Sequence, residues 1–280
     1  MRPLVSQPDE LGECPVWNIS AARLEWLDIA GRRLSSCDAD GGSLERMALP
    51  GKAASFAHRR SGGKIIAYRN RIALTDEAFA EQRSFVPDAI DIDRERFNDG
   101  ACDPAGRFWV GTMALGMRDA VAALYRIGPD LTVRRMDAGF AVSNGIAWSP
   151  AADFLYHCDT AADRIYAHDF DLATGEISGK RVFAEIAHPD GCAMDSDGGL
   201  WVAQPGHGQV VRLDTAGAVS QVIAVPVRNP SSLAFGGAGR NELFVTSIGP
   251  QVLPDAAPLA GCLFKVSTAF RGVPVAKFAG

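Results

Sequence analysis

Short apolar runs alternate with polar, Gly- and Pro-bearing breaks along the whole chain, and nowhere does an apolar stripe persist at a 3.6-residue spacing. Four segments repeat one pattern: Gly100–Thr112, Gly145–Thr160, Gly191–Ala203 and Ser232–Thr246. Each holds a small residue, an apolar strand, a Pro/Gly/Asp turn and a second apolar strand. Two weaker copies precede them, Cys14–Asp28 and Ser55–Tyr68. The anchors Cys14, Ser55, Gly100, Gly145, Gly191 and Ser232 are spaced by 41, 45, 45, 46 and 41 residues. A period near 45 built of short strands is the mark of propeller blades.

Further strands fill each repeat. Arg23–Ile29, Ala122–Ile127, Arg164–Asp169, Val210–Asp214 and Cys262–Val266 read as third strands, and turn chemistry such as Asp38–Gly42 or Asp214–Gly217 follows them. Glu45–Leu49, Thr132–Met136, Lys180–Ala184 and Gln221–Val225 read as fourth strands. Glu77 to Arg83 has room for one helical turn. The expected fold is therefore all-β: a six-bladed β-propeller with four antiparallel strands per blade, residues 1–280 forming one domain. Val5 and Val273–Lys277 are the candidates for closing the ring.

The residue before each anchor is the informative one. These are Glu13, Ala54, Asp99, Asn144, Asp190 and Ser231. In a propeller the innermost strands run along a central channel, so equivalent positions share one ring. Four of the six are carboxylates or an amide. One such residue alone reads as an Asx turn or strand cap. Four at one repeat position read as oxygen ligands for a hard divalent cation, with room left for water or substrate.

Composition narrows the partners. Apolar residues make up 47% of the chain, ample for a packed core. A formal net charge of −5 without a Lys/Arg stripe argues against nucleic acid. No apolar run reaches membrane-spanning length, and no signal peptide is visible at the N-terminus, so a cytoplasmic location and no membrane partner are expected. The six cysteines show no Cys-x-x-Cys spacing and read as small hydrophobes in a reducing compartment. Other chemistry is sparse. The five histidines lack metal spacing, and only His188 lies near the proposed ring, where it reads as a solvated loop residue. No Gly-x-Ser-x-Gly elbow or Walker loop is present. Arg96 stands beside the ring, either to orient a polar substrate or as a surface arginine.

Leu11–Trp17, Arg96–Arg107 with Gly111–Met113, Ser143–Gly145 and Pro189–Gly191 together resemble the gluconolactonase/regucalcin (senescence marker protein) family, in order and in spacing. The closing Gly272-Val-Pro-Val does too. The resemblance implies a six-bladed propeller that holds one divalent cation and hydrolyses sugar lactones. It assigns Glu13, Asn144 and Asp190 as metal ligands, Asn98 as a contact to water on the metal or to substrate, and Arg96 as a contact to sugar hydroxyls. The repeat spacing selects Asp99 and the resemblance Asn98. Neighbours in a regular strand face opposite ways, so Asn98 is taken for the site and Asp99 for structure. Where some family members carry acidic residues after the Gly-Thr-Met motif, this chain has Ala114-Leu-Gly-Met-Arg118 before Asp119. A lid that includes Leu115, Gly116 and Met117 is more apolar than theirs.

These readings combine into a metal-dependent lactonase opening aldonolactones to aldonic acids, with Asp190 as ligand and general base. The cation is Ca²⁺ or Zn²⁺, with Mn²⁺ and Fe²⁺ as alternatives. The rivals are an esterase or phosphotriesterase-like hydrolase on the same metal core, and a non-enzymatic Ca²⁺-binding propeller.

Overall fold

The computed structural model describes residues 1–253 and 257–280. The fold is the all-β six-bladed propeller that the repeat predicts: six separate four-stranded antiparallel sheets. Among the described residues the only helical element is a 3-10 turn at Thr160–Ala162. None of their helices is long and apolar enough to cross a membrane. The blades divide between two compact units, Met1–Lys52 with His188–Pro274, and Ala53–Ala187 with Val275–Gly280.

The first unit holds three blades. One is β2 (Gly12–Asn18), β3 (Arg23–Asp28), β4 (Arg33–Cys37) and β5 (Glu45–Ala48). The next is β18 (Cys192–Met194), β19 (Leu200–Gln204), β20 (Gln209–Leu213) and β21 (Val219–Ala224). The last is β22 (Pro230–Gly236), β23 (Glu242–Ser247), β24 (Leu263–Ser267) and, as its outer strand, β1 (Arg2–Val5). Arg2 faces Lys265 and Val5 faces Leu263, so the N-terminus completes the blade that the C-terminal repeat begins. Trp201, Leu233, Phe235 and Phe264 pack one inter-blade core of this unit, and Trp17, Trp26 and Phe244 pack another.

The second unit also holds three blades: β6 (Ala53–His58), β7 (Lys64–Tyr68), β8 (Ile72–Thr75) and β9 (Glu81–Phe85); β10 (Glu95–Cys102), β11 (Phe108–Ala114), β12 (Ala122–Ile127) and β13 (Val133–Phe140); and β14 (Ser143–Trp148), β15 (Phe154–Asp159), β16 (Arg164–Phe170) and β17 (Ile177–Glu185). Its cores are built on Phe97, Phe108, Tyr125 and Phe278, and on Trp109, Trp148 and Phe170. Outer strands such as β9 and β21 are almost wholly exposed, whereas β7, β11 and β19 are buried throughout. That gradient explains why inner strands are continuous apolar runs and fourth strands are polar.

A buried ion triad pins two of the inner hairpins. Asp103 accepts from Trp109 Nε1 (2.9 Å) and Arg107 Nε (2.6 Å). Asp195 accepts from Trp201 Nε1 (2.8 Å) and Arg212 Nε (2.7 Å). In both, the Asp stands six residues before the Trp, across a turn whose Gly106 or Gly198 adopts φ near +90°. Only glycine takes that conformation without strain.

Three expectations need correction. Arg23–Asp28 is the second strand of its blade, because it pairs directly with β2. Glu77–Arg83 does not form a helical turn; Glu81 opens the outer strand β9, whose register runs Thr75 with Glu81 to Ile72 with Phe85. Val273–Lys277 forms no strand. The ladder position beside β24, for which both segments were candidates, is filled by β1.

Candidate active site

The innermost strands are not regular. The ladder register shifts between Glu13 and Val16, Ala53 and Ser55, Phe97 and Gly100, Ser143 and Ile146, and Pro230 and Leu233. In five blades a bulge therefore falls on or beside the position the repeat singles out. Bulges lift residues out of the ladder and re-aim their side chains. In the remaining blade the β18–β19 ladder starts at Cys192, and Asp190 lies ahead of it.

In the first unit, Glu13 is the second residue of β2 and half-buried, and Asp190 is buried with 7% of its surface exposed. The Asp190 backbone N–H donates to Ala203 O (3.0 Å), and that of Gly191 to Ser231 O (2.9 Å). Ser231 Oγ in turn donates to Gly12 O (2.5 Å). The structure thus brings the two carboxylate carriers to either side of Ser231, each one residue from a bond to it. His188 is exposed, as read from the sequence, with its backbone in the left-handed region (φ 46°) and its ring 5.7 Å from that of His207.

In the second unit, Arg96, Asn98 and Asn144 come together. Asn98 Nδ2 donates to Ser143 O (3.0 Å), beside Asn144. Arg96 Nη1 donates to Phe97 O (2.9 Å) and Asn98 Oδ1 (3.3 Å), so the guanidinium lies against the amide. Asn144 is 7% exposed, and its Nδ2 donates to Thr160 Oγ1 (3.1 Å). That bond turns Oδ1 to the opposite side as an acceptor. Strand alternation does not separate Asn98 from Asp99, because both fall within the bulge between Phe97 and Gly100. Both are half-buried. Asp99 accepts from the Gly100 N–H (2.8 Å), but burial outweighs that bond and pushes its carboxyl up from 3.8 to about 6. Arg96 opposes Met113 in the ladder and Glu95 opposes Ala114, so the segment after Met113 leaves the same end of the blade as Arg96. Leu115 and Met117 are exposed there, at 42% and 61%.

The carboxylates of Glu13 and Asp190 in the first unit, and the amide oxygen of Asn144 in the second, are each oxygen donors of the kind a hard divalent cation takes. Among the described residues no group of three or more His, Cys, Asp or Glu side chains could hold a metal ion. A mixed acid–amide set of this kind falls outside such groups, and closed thiolate–imidazole zinc chemistry does not fit it. None of the six cysteines is in a disulfide, and five of them are buried, in keeping with their reading as hydrophobes. Sequence reasoning missed the buried partners of these residues, namely His157 beside Ser143 and Thr246 beside Ser231. The signal available was Ser231 itself, which holds a ring position in the repeat.

The family pattern described as SMP-30/Gluconolactonase/LRE-like region matches residues 11–249. The chain belongs to this family. A 6-deoxy-6-sulfogluconolactonase of Pseudomonas putida is 35% identical over 286 residues, covering 99% of this chain and 98% of that protein. Regucalcin of Danio rerio is 34% identical over 290 residues, covering 99% and 97%. Among solved structures, a calcium-binding regucalcin from Agrobacterium tumefaciens superposes with a TM-score of 0.89 at 26% identity, covering 99% of this chain and 96% of that one. Of the residues quoted for the resemblance, those from Leu11 to Gly191 lie inside the matched family region, and Gly272–Val275 lies beyond it.

Proposed function

We propose that this chain is a divalent-cation-dependent lactonase that opens sugar lactones to the corresponding aldonic acids. The observation that carries the reading is its end-to-end similarity to the P. putida sulfogluconolactonase. The oxygen donors that each unit carries at its inner strand ends support it.

Glu13, Asn144 and Asp190 would hold the cation through two carboxylates and one amide oxygen. Ca²⁺ ranks first because every donor is oxygen and a related structure is described as calcium-binding; Zn²⁺, Mn²⁺ and Fe²⁺ are the alternatives to test. When bound, the cation supplies Lewis-acid polarisation of the lactone carbonyl. Asp190 takes a proton from the attacking water as the water oxygen bonds to the carbonyl carbon. The ring C–O bond then breaks, and the departing alkoxide takes that proton back from Asp190, leaving an open hydroxy acid and a restored carboxylate. Arg96 and Asn98 orient substrate hydroxyls, and the contact between them pre-sets that orientation.

The test is a panel of aldonolactones on metal-stripped protein with each cation restored in turn. The panel includes a lactone with an anionic sulfo group at C6 and an unsubstituted lactone. Turnover restored by at least one cation is expected. A folded protein that opens no lactone with any cation would overturn the reading.

A further inference from the structure

Ser231 occupies one of the six repeat positions yet supplies no ligand to the proposed site. It is wholly buried. Its Oγ donates to Gly12 O (2.5 Å) and meets Thr246 Oγ1 at 3.0 Å. Its carbonyl accepts from the Gly191 N–H (2.9 Å). Gly12 and Gly191 adjoin Glu13 and Asp190, so one serine ties together the backbones that carry both carboxylates.

The second unit repeats the device one position earlier in its blade. Ser143 is also wholly buried, and its Oγ lies 2.6 Å from His157 Nε2. Its carbonyl accepts from Asn98 Nδ2 (3.0 Å), and its chain neighbour is Asn144. His157 is buried edge-on to Phe140, with ring centroids 4.6 Å apart. In both units a hydroxyl in the bulge of an innermost strand (Ser231) or at its edge (Ser143) meets a side chain from the second strand of the same blade, Thr246 on β23 or His157 on β15. In both, the serine carbonyl accepts a bond from the blade before it. A bulge lies outside the ladder, so its backbone needs some other restraint to hold one geometry.

We propose that Ser231 and Ser143 are positioning residues: Ser231 locks the strand ends carrying Glu13 and Asp190 in one unit, and Ser143 locks the bulges carrying Asn98 and Asn144 in the other. The proposal rests on the cation site put forward above. Neither serine is placed on cation or substrate: Ser231 acts through the backbones beside Glu13 and Asp190, and Ser143 through the Asn98 side chain and the backbone of Asn144. Losing outer partners of metal ligands typically weakens affinity or activity by about 10- to 100-fold.

The test compares Ser231→Ala, Ser143→Ala and the hydroxyl-retaining Ser231→Thr and Ser143→Thr in the full chain. Ser35→Ala, equally buried but on β4, is the control. Ca²⁺ and Mn²⁺ affinities are measured by calorimetric titration of metal-stripped protein, lactone kinetics with cation present, and melting in chelator. The Ala variants should bind cation about tenfold more weakly and lose about tenfold or more in kcat/KM, mostly in kcat, while remaining folded. The Thr variants should recover to within about threefold, and Ser35→Ala should match wild type. Unchanged cation affinity in folded Ala variants would overturn the proposal, as would an equal loss in Ser35→Ala or no recovery with Thr. If Ser231→Ala fails to fold, Thr246→Val, which removes only the supporting hydroxyl, takes its place. Wild-type protein that binds cation but opens no lactone would refute the lactonase reading alone and leave the affinity predictions standing. Wild-type protein that binds neither cation would refute both.

Discussion

Gly191→Ala isolates the geometry of the proposed site without touching any functional group. A Cβ at this position would lie 2.1 Å from Ser232 Oγ, 2.5 Å from Ser232 Cβ and 2.7 Å from Ser232 Cα. Turning the hydroxyl away relieves the first contact only. The other two atoms are fixed to β22, so the segment bearing Asp190 must retreat by roughly 0.7–0.9 Å to reach ordinary contact at 3.4 Å. That retreat strains the Gly191–Ser231 bond (2.9 Å) and the Ala203–Gly191 bond (3.0 Å). Overpacking of this kind costs about 1–3 kcal/mol of stability. A misplacement near 1 Å at reacting groups costs about 100-fold in rate. The expected outcome is a folded protein whose urea midpoint falls modestly, whose kcat/KM on an aldonolactone falls about 30- to 100-fold, and whose cation affinity weakens in parallel. A folded variant with kcat/KM within about threefold of wild type would refute the claim that the approach of Gly191 to Ser232 sets the position of Asp190.

Arg96→Ala should raise KM for polyhydroxylated lactones more than for an unsubstituted one, because the guanidinium addresses hydroxyls rather than the reacting carbonyl; steady-state kinetics on both decide it, and equal losses would count against that role. The apolar lid segment around Leu115 and Met117 should discriminate little between pentono- and hexonolactones, by about tenfold or less in kcat/KM; a thousandfold preference would point to Arg118 or Asp119 as a hydroxyl-reading replacement. Burial, aided by the Asp28 charge, pushes the Asp9 carboxyl up from 3.8 to about 6 against the opposing effects of Trp26 and Arg46. The folded state then holds that proton more tightly than the unfolded chain, so the associated stability is present below about pH 4 and lost as pH rises through 6. Asp9→Asn should therefore be less stable relative to wild type at pH 4 than at pH 7, by on the order of 2–3 kcal/mol in urea unfolding of metal-free protein; a difference independent of pH would sink this account.

Much of the architecture is legible without coordinates, for a local reason. Each blade is a run of sequential hairpins, so strand order follows chain order and the turn chemistry that ends one strand predicts the next. The Asp103–Trp109 and Asp195–Trp201 spacings are local in the same way: one six-residue hairpin brings a carboxylate to an indole. The 45-residue period likewise marks the positions of Glu13, Asn144 and Asp190 before any pairing is known. Helix and strand competed at Glu77–Arg83, where a short polar segment has no period of its own and the outer edge of β8 decided for strand.

What the sequence could not decide depends on partners distant along the chain. That Arg2–Val5 and not Val273–Lys277 fills the open edge depends on pairing with β24 some 260 residues away, for which either segment is composed well enough. Alternation allowed only one of Asn98 and Asp99 into the site, but the register shift at Phe97–Gly100 arises from β10 meeting β11, and alternation has no force inside a bulge. Ser231 and Ser143 look like unremarkable small residues until the fold sets Gly12 and Thr246 around one and His157 and Asn98 around the other. The sequence by itself determined the repeat, the strands within it and which residue types recur at the inner strand ends. Tertiary structure alone decided how those ends are held, because bulges and buried hydroxyl bonds are set by side chains meeting across paired strands and neighbouring blades, and the residue types that meet there do not recur with the repeat.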